Sequence, residues 1–269
     1  MGSAQSHHRT IELKWQPVAN LKPMKSAALI LLFAVNFCVA SDVITPTQYT
    51  DLFNGKNFDG FTFCMKNDAD PAATWIVTNG LIHCTGTPTG YLRTTQTYSN
   101  YVITVVWRFV KIAPKKDNTG VLVYMQLPDK VWPMCVQNQG KSGRQGDLFV
   151  MAGAECKEHL ALGKDANTPV AFKGGPNEHA IGEWDTNTTV CAGNHVLAFI
   201  NFKPLNQISE CTISSGFIGI QSEGAEIEIK QIAIAPLLPA PNKPHMDPGL
   251  LDIMDARRHA LEGVNNEPH

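Results

Sequence analysis

The stretch at residues 101–109, with the sequence YVITVVWRF, constrains the fold more than any other part of the chain. Successive side chains of a β-strand point to opposite faces of the sheet, so alternate residues share a face. Here one face is entirely apolar or aromatic and the other is mixed. The apolar face carries Tyr101, Ile103, Val105, Trp107 and Phe109, and the mixed face carries Val102, Thr104, Val106 and Arg108. This pattern predicts a long strand on a buried core.

Short strand-like runs continue from about residue 49 to residue 237, separated by clusters of Gly, Asn, Asp and Pro with hardly any helical periodicity. The later predicted strands are Val121–Gln126, Met134–Gln139, 187–191, 195–202 and 216–221. Many short strands with turn signals between them predict an all-β fold, a sandwich of two antiparallel sheets.

The last predicted strand changes face partway along. Ile227 and Ile229 share one parity, whereas Ile232 and Ile234 share the other. This change of parity predicts one extra residue near Lys230–Gln231, which would form a β-bulge. The strand should end at Pro236.

Composition excludes some classes of partner. With 22 Lys and Arg against 24 Asp and Glu, the chain has no basic excess to attract phosphates, and nucleic acid is not an expected partner. Its 43% hydrophobic content is that of an ordinary globular protein.

Residues 24–40 have the layout of a secretory signal peptide, with a charged start, an apolar run and small residues before a cleavage point after Ala40. Residues 1–23 are interpreted as an upstream extension. We expect an exported protein, periplasmic or extracellular, with no transmembrane anchor after cleavage. Residues 238–269 form a Pro-rich tail with room for a short helix and no assigned chemistry.

Six cysteines remain after cleavage, an even number that suits an oxidising compartment and allows up to three disulfides. Their spacing leaves the pairing open and does not match a structural zinc site. They are Cys64, Cys84, Cys135, Cys156, Cys191 and Cys211.

The first candidate site lies on the predicted strand 134–139. Gln137 and Gln139 share a face at roughly 7 Å spacing, and each amide can donate to and accept from sugar hydroxyls. The glycine-rich segment after them carries Lys141 and Asp147. Asp147 is interpreted either as a general base or cation ligand, or as a turn aspartate that bonds backbone amides.

Other side chains are weaker candidates for sugar contact. Trp132 and Trp184 can stack on a pyranose ring or pack in a core, and Glu223 lies at a strand end where it either reaches the groove or faces solvent. The remaining candidates for substrate binding are Arg93, Arg108 and Gln126. No phosphate-binding, zinc-protease or serine-hydrolase motif accompanies them.

Four stretches together resemble the 3-keto-disaccharide hydrolase domain family, in the order found there. They are 52–61 (LFNGKNFDGF), 132–139 with Gly146–Asp147, 182–185 (GEWD) and 219–224 (GIQSEG). The resemblance covers about residues 49–237. It implies a concanavalin A-like jelly roll, usually exported, that acts on glycosides.

One departure from the family pattern affects the chemistry. Gln137 stands where many relatives carry a glutamate, and an amide cannot take a proton as a carboxylate does. If that glutamate is the family's base, Asp147 or Glu223 has to replace it. If it only holds hydroxyls, Gln137 substitutes well.

The resemblance implies cleavage of a glycoside already oxidised to a ketone at C3, by elimination and addition of water. Asp147 is the candidate base, Lys141 or Arg93 the candidate cation for the enolate oxygen, and Glu223 the candidate proton donor. The alternative is a non-catalytic carbohydrate-binding module; a third class is a structural or adhesive envelope protein. A calcium ion is compatible with a jelly roll, but the sequence identifies no ligands for it.

Overall fold

The computed structural model describes residues 42–111, 118–163, 169–170 and 177–238. Its strands form two antiparallel sheets. In spatial order, the eight-stranded sheet contains β12 (Lys203–Ile208), β11 (His195–Ile200), β10 (Asp185–Ala192), β6 (Tyr101–Phe109), β14 (Ile227–Pro236), β4 (Leu81–Cys84) and β3 (Trp75–Thr78), with β1 (Thr50–Asp51) beside β14. The six-stranded sheet contains β2 (Phe61–Met65), β5 (Gly90–Thr94), β13 (Phe217–Ser222), β7 (Gly120–Met125), β8 (Cys135–Gln139) and β9 (Leu148–Met151).

Helical structure is minor in the described residues. A single α-helix, α1, covers Lys157–Leu162, and two 3₁₀ turns cover Lys66–Asp68 and Pro71–Ala73. No helical pattern in the sequence predicted α1. The predicted fold, a jelly-roll β-sandwich of two antiparallel sheets, is confirmed.

The core lies between the two sheets, and β6 contributes to it as its alternation predicts. Tyr101, Ile103, Val105, Trp107 and Phe109 all belong to the main buried apolar cluster. Facing them from the six-stranded sheet are Val121, Val123 and Val136. The two-residue period of each strand therefore divides the sandwich into an inner apolar layer and two outer faces.

The predicted strands 121–126, 134–139, 187–191 and 216–221 correspond to β7, β8, β10 and β13, with ends shifted by one or two residues. The predicted strand 195–202 ends earlier, at Ile200, because Asn201 and Phe202 have positive φ and turn the chain into β12. The bulge is confirmed, since the register of β14 against β6 shifts between Ile229 and Gln231.

A polar bridge crosses the core between the sheets. Asn138 on β8 donates through Nδ2 to Asn187 Oδ1 and to Thr189 Oγ1 on β10, each at 2.9 Å. All three residues are buried. Because a mispaired amide in an apolar layer is costly, this bridge favours one alignment of β8 over β10.

The expected disulfides are not present, because none of the six cysteines is joined to another. The thiols serve instead as small packing groups. Cys84 lies in the main core and Cys135 packs on Met151, with 3.8 Å between the two sulfurs. Cys156 Sγ caps α1 by accepting from His159 N at 3.4 Å. Burial raises the pKa of the Cys84 thiol to about 11 and that of the Cys191 thiol to about 12, so both stay protonated at neutral pH.

The predicted upstream extension (1–23), the signal peptide (24–40) and the helix in the tail lie outside the described residues. Within the described part of the chain, none of the helices has the length and apolar character needed to cross a membrane.

The packing of β6 makes a stability prediction. Replacement of Ile103, which is fully buried, by alanine should lower the free energy of unfolding by about 2–5 kcal/mol, because a cavity remains in the core. The same change at Ile76, 47% exposed on β3, should cost less than about 1 kcal/mol. Urea denaturation of both variants measures this, and equal losses would contradict the described core.

Candidate functional site

A cleft of about 700 Å³ lies on the open face of the six-stranded sheet, over β8 and β9. Its walls combine side chains of these strands with side chains from five connecting segments. The described residues that line it are Asn118, Trp132, Gln137, Gln139, Lys141, Arg144, Asp147, Phe149, Met151, Ala152, Pro169 and Glu223. Of the ten predicted site residues, six therefore meet in one cleft.

Amide side chains form the polar floor of the cleft. Gln137 Nε2 donates to Gln221 Oε1 at 2.9 Å and to Gln139 Oε1 at 3.3 Å. Gln139 Oε1 also accepts from the backbone N–H of Gly140 at 3.0 Å. The predicted shared face of Gln137 and Gln139 is confirmed, since Asn138 between them points into the core.

These bonds explain why an amide fits at position 137. Both partners present oxygen atoms to Gln137 Nε2, whereas a carboxylate there would face the fixed Gln139 Oε1 and would need Gln221 to turn its amide over. Gln139 could turn its amide over only by losing its bond from Gly140 N. Gln137, which is 5% exposed, therefore acts here as a donor that orders the floor.

Glu223 is half-buried at the end of β13, and it belongs to the cleft. Asn118, which precedes β7, donates through Nδ2 to Glu223 Oε2 at 2.6 Å. Burial raises the pKa of the Glu223 carboxyl to about 7, and the positive charge of Lys141 acts in the opposite direction. A carboxyl with this pKa can both give and take a proton near neutral pH.

Residues 140–147 form a glycine-rich loop, called the cleft loop below, which brings charge to the site. Asp147 is 2% exposed, and its Oδ2 accepts from Arg144 Nε at 2.6 Å. Lys141 and the half-exposed Arg144 line the cleft on the same side. The loop thus supplies a carboxylate and two cations to the amide floor.

Trp132 provides an exposed aromatic surface at the cleft, in the segment between β7 and β8. Its side chain is 45% exposed. Phe149 and Met151 on β9 add apolar surface. This mixture of flat apolar faces and amides is typical of sites for sugar rings.

Arg93 lies on the same sheet but outside the cleft lining, because its guanidinium is engaged elsewhere. It donates to both carboxylate oxygens of Asp129, at 2.8 and 2.7 Å, and stacks over Phe217. Tyr91 Oη donates to the same Asp129 at 2.9 Å. Asp129 belongs to residues 126–134, so these bonds, called the Asp129 clamp below, fasten that segment to the sheet.

The other three candidates also lie away from the cleft. Arg108 is on the outer face of the other sheet, where it pairs with Glu228 and stacks over Trp184. Lys230 lies over the same indole ring. Gln126 donates through its amide to the carbonyl oxygens of Tyr124 and Ser215.

The structure adds cleft residues that the sequence analysis did not select. Asn118 lines the cleft and Gln221 supports its floor by bonding to Gln137, and neither was singled out because each reaches its place through long-range strand pairing. Arg144 had a usable signal, since it lies beside Asp147 in the same glycine-rich stretch. Asn118 Oδ1 is buried and, among the described residues, has no hydrogen-bond partner.

Metal ligation has no support in the described residues, where no group of three or more His, Cys, Asp or Glu side chains is placed to hold an ion.

Comparison with solved structures bears on the fold. A candidate glycosyl hydrolase from Parabacteroides distasonis is 19% identical, with a TM-score of 0.53 over 71% of this chain and 94% of that one. A second such protein from the same organism is 20% identical, with a TM-score of 0.48 over 71% and 100%. The carbohydrate-binding module CBM66 from Bacillus subtilis is 9% identical, with a TM-score of 0.45 over 65% and 95%.

No curated protein matches the sequence. The family described as 3-keto-alpha-glucoside-1,2-lyase-like domain matches residues 48–235, which include every described strand except the last residue of β14. Its span contains all the residues that line the cleft. On this match, the chain belongs to the family of 3-keto-alpha-glucoside-1,2-lyase-like domains.

Proposed function

We propose that the cleft binds a glycoside carrying a ketone at C3 and cleaves its bond at C1 by elimination, followed by addition of water. The observation that carries this proposal is Glu223, a half-buried carboxyl with a pKa of about 7, set beside amide side chains that suit sugar hydroxyls. The family to which the chain belongs supports the reaction class.

The chemistry explains why a base and an acid are needed. A ketone at C3 acidifies the C2–H bond and places the C1 oxygen β to the carbonyl. Removal of the C2 proton gives an enolate, which expels the C1 oxygen as the C1–C2 double bond forms. The departing oxygen takes a proton, and water then adds at C1 to complete net hydrolysis.

Asp147 and Glu223 are the two carboxyl groups among the described cleft residues. We assign Asp147 as the base for the C2 proton and Glu223 as the donor to the departing oxygen. Lys141 and Arg144 provide positive charge for the enolate oxygen. Arg93 is not included, because it does not line the cleft.

Substrate binding is assigned to the floor and to one aromatic side chain. Gln137 and Gln139 face sugar hydroxyls, with Gln221 bonded to Gln137, and Trp132 lies against a ring face. The signal-like segment 24–40 supports an extracytoplasmic glycoside as the substrate.

Removal of the proton donor tests the enzyme proposal. Glu223→Gln should lower kcat on a 3-keto-glucoside by about 10²–10⁴, because the departing oxygen loses its acid, while sugar binding is retained. Asp147→Asn should lower kcat by a similar factor through loss of the base. Release of the aglycone and calorimetric binding are measured on residues 41–269.

Glu210→Gln is the matched control, since this glutamate is exposed and pairs only with Lys157 in the described structure. The unoxidised parent glucoside should not be cleaved. If wild-type protein binds sugar but releases aglycone from neither substrate, the chain is a carbohydrate-binding module and the enzyme proposal is wrong.

The pKa of Glu223 predicts a pH dependence. Its protonated form is the donor, so kcat should fall as pH rises through about 7. Lys141 lowers this pKa, and Lys141→Met should therefore move the alkaline limb to higher pH. Profiles of kcat against pH measure both effects. An alkaline limb that stays at the same pH in Lys141→Met contradicts the assignment, and so does an alkaline limb that persists in Glu223→Gln.

A further inference from the structure

The cleft loop is held, on the side away from the cleft, by a partly buried carboxylate. Glu178 accepts the backbone N–H of Gly143 at 2.7 Å and that of Gln145 at 2.9 Å, one on each oxygen. Burial raises the pKa of the Glu178 carboxyl. The same loop carries Lys141, Arg144 and Asp147, but Glu178 is not among the residues that line the cleft.

A second anchor passes through the Gln145 side chain, which is 2% exposed. Trp107 Nε1 donates to Gln145 Oε1 at 3.0 Å, and Gln145 Nε2 donates to Asp185 Oδ2 at 2.8 Å. An indole N–H is only a donor, so it fixes which end of the Gln145 amide is oxygen. Asp185 Oδ2 must then be an acceptor.

The other oxygen of Asp185 must also accept. The backbone N–H of His179 donates to Oδ1 at 2.8 Å, and Asn201 Nδ2 donates to it at 2.7 Å. Asn201 has no freedom to turn its amide over, because its Oδ1 accepts from Thr186 N at 2.8 Å. Both oxygens of Asp185 thus face donors only, a requirement that a carboxylate meets and an amide does not.

We propose that Asp185, Gln145 and Glu178 are positioning residues, which act through the cleft loop to place Arg144 and Asp147 against the substrate. Neither Asp185 nor Gln145 lines the cleft. The effect on turnover rests on the proposed function, whereas the effect on the loop does not. The Gly-Glu-Trp-Asp stretch at 182–185 thereby gains a role through its last residue.

The donor and acceptor order gives a reciprocal test. In Asp185→Asn, the new amide N–H group faces a donor in either orientation of the amide. In Gln145→Glu, the new carboxylate lies buried beside the carboxylate of Asp185. In the double variant, the carboxylate now at position 145 can accept from Trp107 and from the amide now at position 185. The oxygen of that amide accepts in turn from His179 and Asn201. The double variant therefore restores each of these hydrogen bonds with the same total charge, although the 3.3 Å contact of His179 Nδ1 with Asp185 Oδ1 becomes a contact with an amide oxygen.

Amide hydrogen exchange at Gly143 and Gln145 is the first readout, because it needs no substrate. In the variants that replace Gln145, the backbone N–H of the same position is followed. Exchange should speed up by about tenfold or more in each single variant and return toward the wild-type rate in the double variant. The proposal is overturned if Asp185→Asn exchanges these amide hydrogens at the wild-type rate. It is also overturned if the double variant exchanges them as fast as the single variants do.

Turnover is the second readout. Each single variant should lower kcat by about ten- to a hundredfold, with a smaller change in KM because the amide floor is intact, and the double variant should recover most of it. Asp70→Asn is the matched control, because Asp70 caps an exposed turn and asparagine caps equally well. Loss of turnover in Asp70→Asn, or single variants that turn over like wild type, overturns the proposal.

Glu178→Gln covers the case in which the buried substitutions prevent folding. A glutamine keeps one acceptor oxygen, so exchange should rise at only one of Gly143 and Gln145. Unchanged exchange at both would overturn the proposal. If wild-type protein cleaves neither substrate, the proposed function fails, and the exchange rates still decide whether these residues position the loop.

Discussion

The alternation of side chains across the six-stranded sheet is the constraint on which both the core and the cleft depend. On β8, Val136 and Asn138 enter the layer between the sheets, whereas Gln137 and Gln139 form the floor of the cleft. A shift of one residue would exchange the two sets and put glutamines into the core. The Asn138 bridge to β10 opposes such a shift, because its amide would lose its buried partners.

The charged groups of the cleft depend on a different kind of interaction. Lys141 and Arg144 come from the middle of a loop, where no ladder of strand hydrogen bonds fixes the path. At the end of the loop, Gln139 N donates to Asp147 O and Gly146 N donates to Gln139 O, each at 2.8 Å. The middle is held instead by Glu178, through two backbone N–H groups, and by Trp107 and Asp185 of the other sheet, through the Gln145 side chain. The sheet therefore sets the position of the amide floor, and polar bonds behind the loop set the position of the charges.

Local patterns in the sequence were sufficient for seven of the fourteen described strands and for the facing of Gln137 and Gln139, because the two-residue period depends on neighbours alone. They were not sufficient for contacts between distant segments. Gln221 joins the floor only after β13 pairs with β7, and Arg93 is bound by an aspartate 36 residues away. Trp184 lies on the outer face of the other sheet. The residues of a strand do not show to which of the two sheets that strand belongs.

The Asp129 clamp also decides how much of the open face remains available. Tyr91, Leu122 and Cys135 point to that face, yet each is completely buried. This part of the open face is thus covered by the protein's own chain, so that, in the described residues, the room for a ligand on the six-stranded sheet lies over β8 and β9.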